Sequence, residues 1–298
     1  MTRNQSLAHN PGTRNALVIV AQPSADEAPH LRRLAALGLQ DFETPADCAR
    51  RQAEMIGCME SAGYDPKPLR KLAECGAGVC PLDLCTEGCH FATRDRRITG
   101  IMSGLAIFED HAGPLCNVCV VHPIWEQPAG KLAETNIPAA IQWNRRRFSA
   151  VPGNDLVAIG TYEVSLNREL DGETYWAGEI HQVVAGASAA DLKRAFSIER
   201  RYRDCRPGDK LLYVIPVENL ARRVAYAQKR FVEERRAYVT VATGRQTRRH
   251  LPLKSNHSVE HEAWLLSLPI GARTVAYGCG RRGAKFFERS KPESCPGA

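Results

Sequence analysis

The alternation of apolar and polar positions is cleanest between residues 157 and 185. "LVAIGTYEVSL" and "TYWAGEIHQVVAG" each predict a strand, and "NRELDGE", with its Asp-Gly pair, predicts a hairpin-like connection between them. Side chains on a strand alternate faces, so Trp176, Ile180 and Val184 point one way while Glu179 and His181 point the other. In the first strand Tyr162, Val164 and Leu166 share one face, and Thr161, Glu163 and Ser165 share the opposite one. Antiparallel pairing in a suitable register would join the two polar faces and bring Glu163 near Glu179 and His181. One face then reads as core and the other as a place for chemistry.

The same reading extends to either side. "CNVCVVHP" predicts a strand, and "AGKLAETNIPAAIQWNRRRFSA" is helical, with Pro138 marking a kink or break. "SAADLKRAFSIERRY" predicts a helix capped by Ser188, "KLLYVIPV" a strand, and "VENLARRVAYAQKRFVEERRAY" one long helix. The order β-α-β-β-α-β-α predicts an α+β fold, a ferredoxin-like or RRM-like split βαβ antiparallel sheet with helices on one face and the other face open. Upstream, "APHLRRLAALG" and "TPADCARRQAEMIGCMESAG" are helical, the second with Thr44 or Asp47 as cap and Gly63 as stop. The expected organisation is a flexible arm over 1–28, a helical and cysteine-bearing region over 29–110, a sheet domain over 111–240 and a basic tail region over 241–298.

Composition narrows the class of partner. At 298 residues and 44% hydrophobic the chain is long enough to bury a sizeable core. Its net charge of +7, with arginines clustered at 145–147, 222–223, 235–236, 248–249 and 281–282, favours a polyanion such as nucleic acid, although any one basic run is equally a solvated face. The apolar run "ALVIVA" at 16–21 is too short to span a bilayer and carries no leader-like flank, so the expectation is a cytoplasmic protein without a membrane partner.

Eleven cysteines would be many for a reducing compartment if they were idle. Cys75, Cys80, Cys85, Cys89 and His90 crowd one segment, a spacing that suits a tetrahedral structural Zn²⁺ site or, alternatively, a set of free buried thiols. The "TRDRR" that follows, with Arg96 and Arg97, is a place for duplex phosphates to dock. Cys116 and Cys119 form a C-x-x-C within a predicted strand, where packing is the expected reason.

Two carboxylates and an imidazole on an open face, Glu163, Glu179 and His181, suit a divalent cation, and a polar face that meets water is the alternative. The last helix adds a phenol. Leu220, Val224 and Phe231 form its apolar stripe, while Tyr226 lies away from it, beside Arg222, Lys229 and Arg230. Nearby positive charge favours phenolate and holds phosphate, whereas packing at a helix-sheet contact is the plainer role for such a ring.

A paired-ligand strand followed by helix, strand and a helix with Y-x-x-K, here Tyr226 to Lys229, resembles the rolling-circle replication initiators of plasmids and phages, the HUH endonucleases. "VCVVHPIW", "AIGTYEVSLN" and the upstream cysteines add to the likeness, which covers roughly residues 75 to 235, with a looser echo at 261–282. The resemblance implies an HUH palm and a site-specific single-strand DNA endonuclease and strand transferase. In it Tyr226 is the nucleophile that ends linked to a 5′ phosphate, and Lys229 is its cationic helper. Glu179 and His181 hold Mg²⁺ or Mn²⁺, and Arg222 and Arg230 flank the DNA. It implies single-stranded origin DNA and duplex as partners, with host replication proteins possible. The family motif is His-hydrophobic-His, and here Glu179-Ile180-His181 replaces one imidazole by a carboxylate. Two further readings stand beside this one: a non-catalytic zinc-containing DNA-binding protein, either a degenerate initiator or a repressor, and an RNA-binding module, which would want exposed aromatics where Glu163, Glu179 and His181 lie.

Overall fold

The computed structural model describes residues 27–39, 43–75, 85–153, 155–198, 202, 211–229 and 232–288. The chain enters through α1 (Glu27–Ala36), α2 (Pro45–Ser61), α3 (Pro66–Ala73) and a long α4 (His90–Glu109). Thr44 and Asp47 together close a capping box at the start of α2, and Gly63, with φ +77°, follows its end. Met55, Met59, Leu69, Leu72 and Ala92 bury a small core among α2, α3 and the first turn of α4.

The main body is the expected β-α-β-β-α-β run: β1 (Leu115–Val121), a short β2 (Gln127–Pro128), α5 (Ile137–Phe148), β3 (Val157–Arg168), β4 (Thr174–Ala185), α6 (Ala189–Ala195) and β5 (Leu212–Pro216). The strands lie in the order β5-β1-β4-β3, each antiparallel to its neighbour. The fold class is α+β. Pro138 starts α5 rather than breaking it: its missing N–H costs nothing in a first turn, and Asn136 caps the helix by accepting from the Ala139 N–H at 3.0 Å. Ser188 caps α6 as predicted.

Two features depart from expectation. The helix predicted over 217–238 is only α7 (Leu220–Tyr226), and Glu234–Val239 is instead a strand, β6, which runs parallel to the end of β3 and forms an antiparallel pair with β7 (Gln246–Leu251). Residues 240–245 supply the turn that makes this pairing possible, since they bring "ERRAYV" back along "QTRRHL". The described part of the segment read as a tail, 241–288, is woven into the body. α8 (Ser255–Ser267) buries Trp264 and Leu265 in the main core, and β8 (Thr274–Tyr277) pairs antiparallel with β3 along Ala158–Thr161. β9 (Cys279–Arg282) and β10 (Lys285–Glu288) form a separate two-stranded ribbon.

The even-numbered face of the hairpin is core. Tyr162, Val164, Leu166, Trp176, Ile180 and Val184 pack with Val118 and Val120 of β1 against α5, α6 and α8. Each such fully buried side chain contributes about 1.5–3 kcal/mol of transfer free energy. Asn144 of α5 and Gln182 of β4 exchange two hydrogen bonds of 3.0 Å within this core, which satisfies both amides and fixes the helix on the sheet. The odd-numbered face is not wholly open, contrary to expectation. α4 and α7 cover its far end, burying Ile159, Val183 and Ala185 beneath Ile98, Ile101, Leu105 and Val224. Gly104 permits this close approach of the two helices, for a Cβ there would stand 3.3 Å from Val224 Cγ1. The uncovered remainder of that face is where the polar side chains lie.

Candidate active and metal sites

A cleft of about 400 Å³ opens on the uncovered part of the sheet. β3 and β4 pair with Glu163 opposite Glu179 and Thr161 opposite His181, and on the other side of β4 the partner of His181 is Cys119 of β1. The register therefore gathers side chains from three strands. His181 Nε2 lies 3.3 Å from Glu179 Oε2, 3.8 Å from Glu163 Oε2 and 3.7 Å from Cys119 Sγ. Arg235 of β6 donates to Glu179 Oε1 at 2.7 Å, and Lys229 Nζ meets Glu163 Oε2 at 3.2 Å. Glu163 Oε1 is buried and finds no hydrogen-bond partner among the described residues.

Lys229 also donates to the Tyr226 hydroxyl at 2.9 Å, and the Tyr226 ring meets the His181 ring edge-on at 5.2 Å. α7 ends at Tyr226, so the phenol stands at the mouth of the cleft, 40% exposed, while Lys229 reaches back from the next turn. The fold thus brings Tyr226, Lys229, Glu163, Glu179 and His181 into one site, with Lys229 just beyond the end of α7 and not on one long helix with Tyr226.

Burial and charge act against each other here. Burial alone would push Glu179 up, but the His181, Arg235 and Lys229 charges outweigh it and hold this carboxylate well below the usual range. Burial pushes Glu163 above the usual range, only partly opposed by His181 and Lys229. Burial disfavours a charged His181, yet the Cys119 sulfur and the two carboxylates keep its proton on well above the ordinary histidine value. Lys229 is likewise raised: burial is outweighed by Glu163 and the hydrogen bond to Tyr226. The carboxylates are compensated by cations of the chain itself.

The donor set nonetheless fits a divalent cation. Cys119, Glu179 and His181 each offer one ligand atom, all within 4.8 Å of one another, and the unpartnered Glu163 Oε1 lies alongside as a further oxygen. Such an ion would take the place of the imidazole proton, since a ligating histidine is neutral. A second group lies at the start of α4: Cys75, Cys85 and Cys89 fall within the same spacing, with Cys75 Sγ and Cys85 Sγ 4.0 Å apart. Tetrahedral zinc at Zn–S of about 2.3 Å requires sulfurs about 3.8 Å apart. Cys80 lies outside the described residues. His90 stands outside the sulfur group. It begins α4, its N–H donates to Gln52 Oε1, and its side chain lines a separate hollow with Met55, Met59 and Val259.

Of the arginines expected at DNA, Arg222 is exposed on α7, Arg97 is half-buried on α4 and Arg230 lies outside the described residues. Arg96 is corrected: it is buried, and with Arg273 it pairs Glu87 at 3.3 and 3.0 Å, so it ties the start of α4 to the loop before β8 and is turned away from any phosphate. Burial would raise Glu87, but the two guanidiniums bring it down to about 2. Two site residues went unpredicted. Cys119 was assigned to packing, although parity alone separates it from Cys116, which lies in the core with Val118 and Val120. Arg235 was hidden within the supposed long helix. Arg223, Arg248 and His250 also line the cleft, with Tyr213 from β5.

Among the described residues no helix is long and apolar enough to cross a membrane. No protein-family model matches this chain, and neither a curated protein nor a solved structure matches it.

Proposed function

We propose that this chain is a metal-dependent, site-specific single-strand DNA endonuclease and strand transferase that initiates rolling-circle replication on an HUH-like palm. The observation that carries the reading is Tyr226 at the cleft mouth, hydrogen-bonded to Lys229 at 2.9 Å and edge-on to His181 of the carboxylate-imidazole cluster. A free phenol is a weak nucleophile, and an ammonium at that distance stabilises the phenolate as its proton passes to solvent. Tyr226 Oη then bonds to phosphorus as the bond to the 3′ oxygen breaks, and that oxygen takes a proton from solvent, giving a 5′-phosphotyrosine and a 3′ hydroxyl. Glu163 pairs with the Lys229 ammonium at 3.2 Å and keeps it charged beside the phenol. Glu179 and His181 would hold a divalent cation, whose charge would polarise the scissile phosphate. Arg223, Arg248 and His250, with Tyr213 among them, give the cleft the mixture of cations and rings that single strands favour. Cys75, Cys85 and Cys89 would hold a structural zinc ion, for which their spacing is suited.

The test is covalent capture. Full-length protein incubated with labelled single-stranded DNA from its own replicon's origin and Mn²⁺ is expected to form an adduct, and peptide mass spectrometry is expected to find the phosphate on Tyr226. An adduct on Tyr213 or any other tyrosine overturns the assignment. One observation favours a second reading, a non-catalytic DNA-binding protein: Lys229 and Arg235 already neutralise the two carboxylates. That reading predicts DNA binding with no adduct under any divalent cation.

A further inference from the structure

The three-ligand group in the cleft has a geometry of its own. For a tetrahedral ion with Zn–N and Zn–O bonds of about 2.1 Å and Zn–S of about 2.3 Å, the nitrogen-oxygen edge is about 3.4 Å and the nitrogen-sulfur edge about 3.6 Å. The observed edges are 3.3 Å for His181 Nε2 to Glu179 Oε2 and 3.7 Å for His181 Nε2 to Cys119 Sγ. Arg235 occupies the other oxygen of Glu179 at 2.7 Å, so Oε2 is left facing the imidazole. Magnesium keeps several waters and seeks only oxygen, whereas one thiol, one imidazole and one carboxylate together suit zinc and its borderline neighbours.

The geometry points to Cys119 Sγ, Glu179 Oε2 and His181 Nε2 as a tetrahedral site for a borderline divalent cation of the zinc and cobalt class, with its fourth position open to the cleft. The inference rests on reading this cleft as a cation site and replaces the magnesium-type ion expected there. A bound ion would need Cys119 as thiolate and His181 as neutral imidazole, and any proton either carries would pass to solvent. Three protein ligands and one open position are the arrangement of zinc sites that act on substrates, in contrast to the all-sulfur set at Cys75, Cys85 and Cys89.

Cobalt titration of the metal-free full-length chain, without DNA, tests this. Wild type is expected to take up about two equivalents, both with thiolate-to-cobalt absorption, against about one equivalent for Cys119→Ser and for His181→Gln. The Cys119→Ser change should weaken the cleft ion by more than the roughly 10- to 100-fold that loss of an outer-shell partner costs. Millimolar Mg²⁺ should not displace cobalt from wild type. Should either variant unfold, wild-type cobalt spectra decide alone, through the number of thiolate-ligated ions and their resistance to Mg²⁺. Unchanged stoichiometry and spectrum in Cys119→Ser, or displacement by Mg²⁺, overturns the site. The phosphotyrosine reading fails separately: protein that binds cobalt through Cys119 yet forms no adduct keeps this site and loses the nuclease. Protein that forms the adduct with Mg²⁺ and shows no Cys119-dependent cobalt signal does the reverse.

Discussion

The Lys229 ammonium bridges the Tyr226 hydroxyl at 2.9 Å and Glu163 at 3.2 Å, and the two residues it joins are asked to do different things. Lys229→Met is therefore expected to slow adduct formation about 10²–10³-fold without abolishing it, the size of effect seen when one preorganised donor is removed, while Tyr226→Phe abolishes it with DNA binding intact. Single-turnover rates on a labelled origin strand measure both, and equal rates for Lys229→Met and wild type would refute the role. Glu87 is the counterpart away from the cleft. Its depressed folded value, about 2 against 4.5, contributes stability that is fully present above pH 4.5 and is lost as pH falls toward 2. Denaturant melts at pH 6 and pH 3 should show wild type losing more stability than Glu87→Gln. The variant itself should be less stable at pH 6 by about 3–5 kcal/mol, because it strands Arg96 and Arg273.

Elements differed in how plainly they could be read. The strands at 157–168 and 174–185 alternate through their middles, so their existence and faces were legible, and the Glu163-Glu179 juxtaposition followed from period two together with the antiparallel register. α4 was not legible. It is buried on most sides, against α2, α7 and the sheet, so no single apolar stripe marks it. Gly104→Leu is expected to cost about 1–3 kcal/mol by forcing α4 from α7, and to reduce adduct yield because α7 carries Tyr226. Thermal melts and adduct assays on the same preparation check this. β6 was lost for a different reason. Its pairing to β3 joins residues nearly 70 positions apart, which no local pattern reports, and Arg235 went with it. Arg235→Gln should weaken the cleft ion by about 10- to 100-fold while leaving the sulfur site filled, as paired cobalt titrations would show.

At the scale of the molecule, the outer edge of β3 is shared: β8 takes Ala158–Thr161 and β6 takes Leu166–Arg168. The C-terminal segment is thus structural, with Trp264, Leu265 and Val275 in the main core. Removal of everything after residue 251 is expected to leave β3 unpaired along Ala158–Thr161 and the core open, giving aggregated protein on expression. Soluble, monomeric truncated chain in size-exclusion chromatography would contradict this.

β4 carries the apolar centre of the molecule on one side and Glu179 and His181 on the other, alternating residue by residue. Tolerance to insertion should therefore change abruptly along a dozen positions. One extra residue between 176 and 184 inverts the remainder of the strand, turning acid and imidazole inward and aliphatics outward. No variant of that kind can trade chemistry against solubility, because both depend on the same parity. Within the 169–173 turn, the same insertion leaves both intact. In a library of single-residue insertions, fold and activity would disappear together across β4 and return together at its ends.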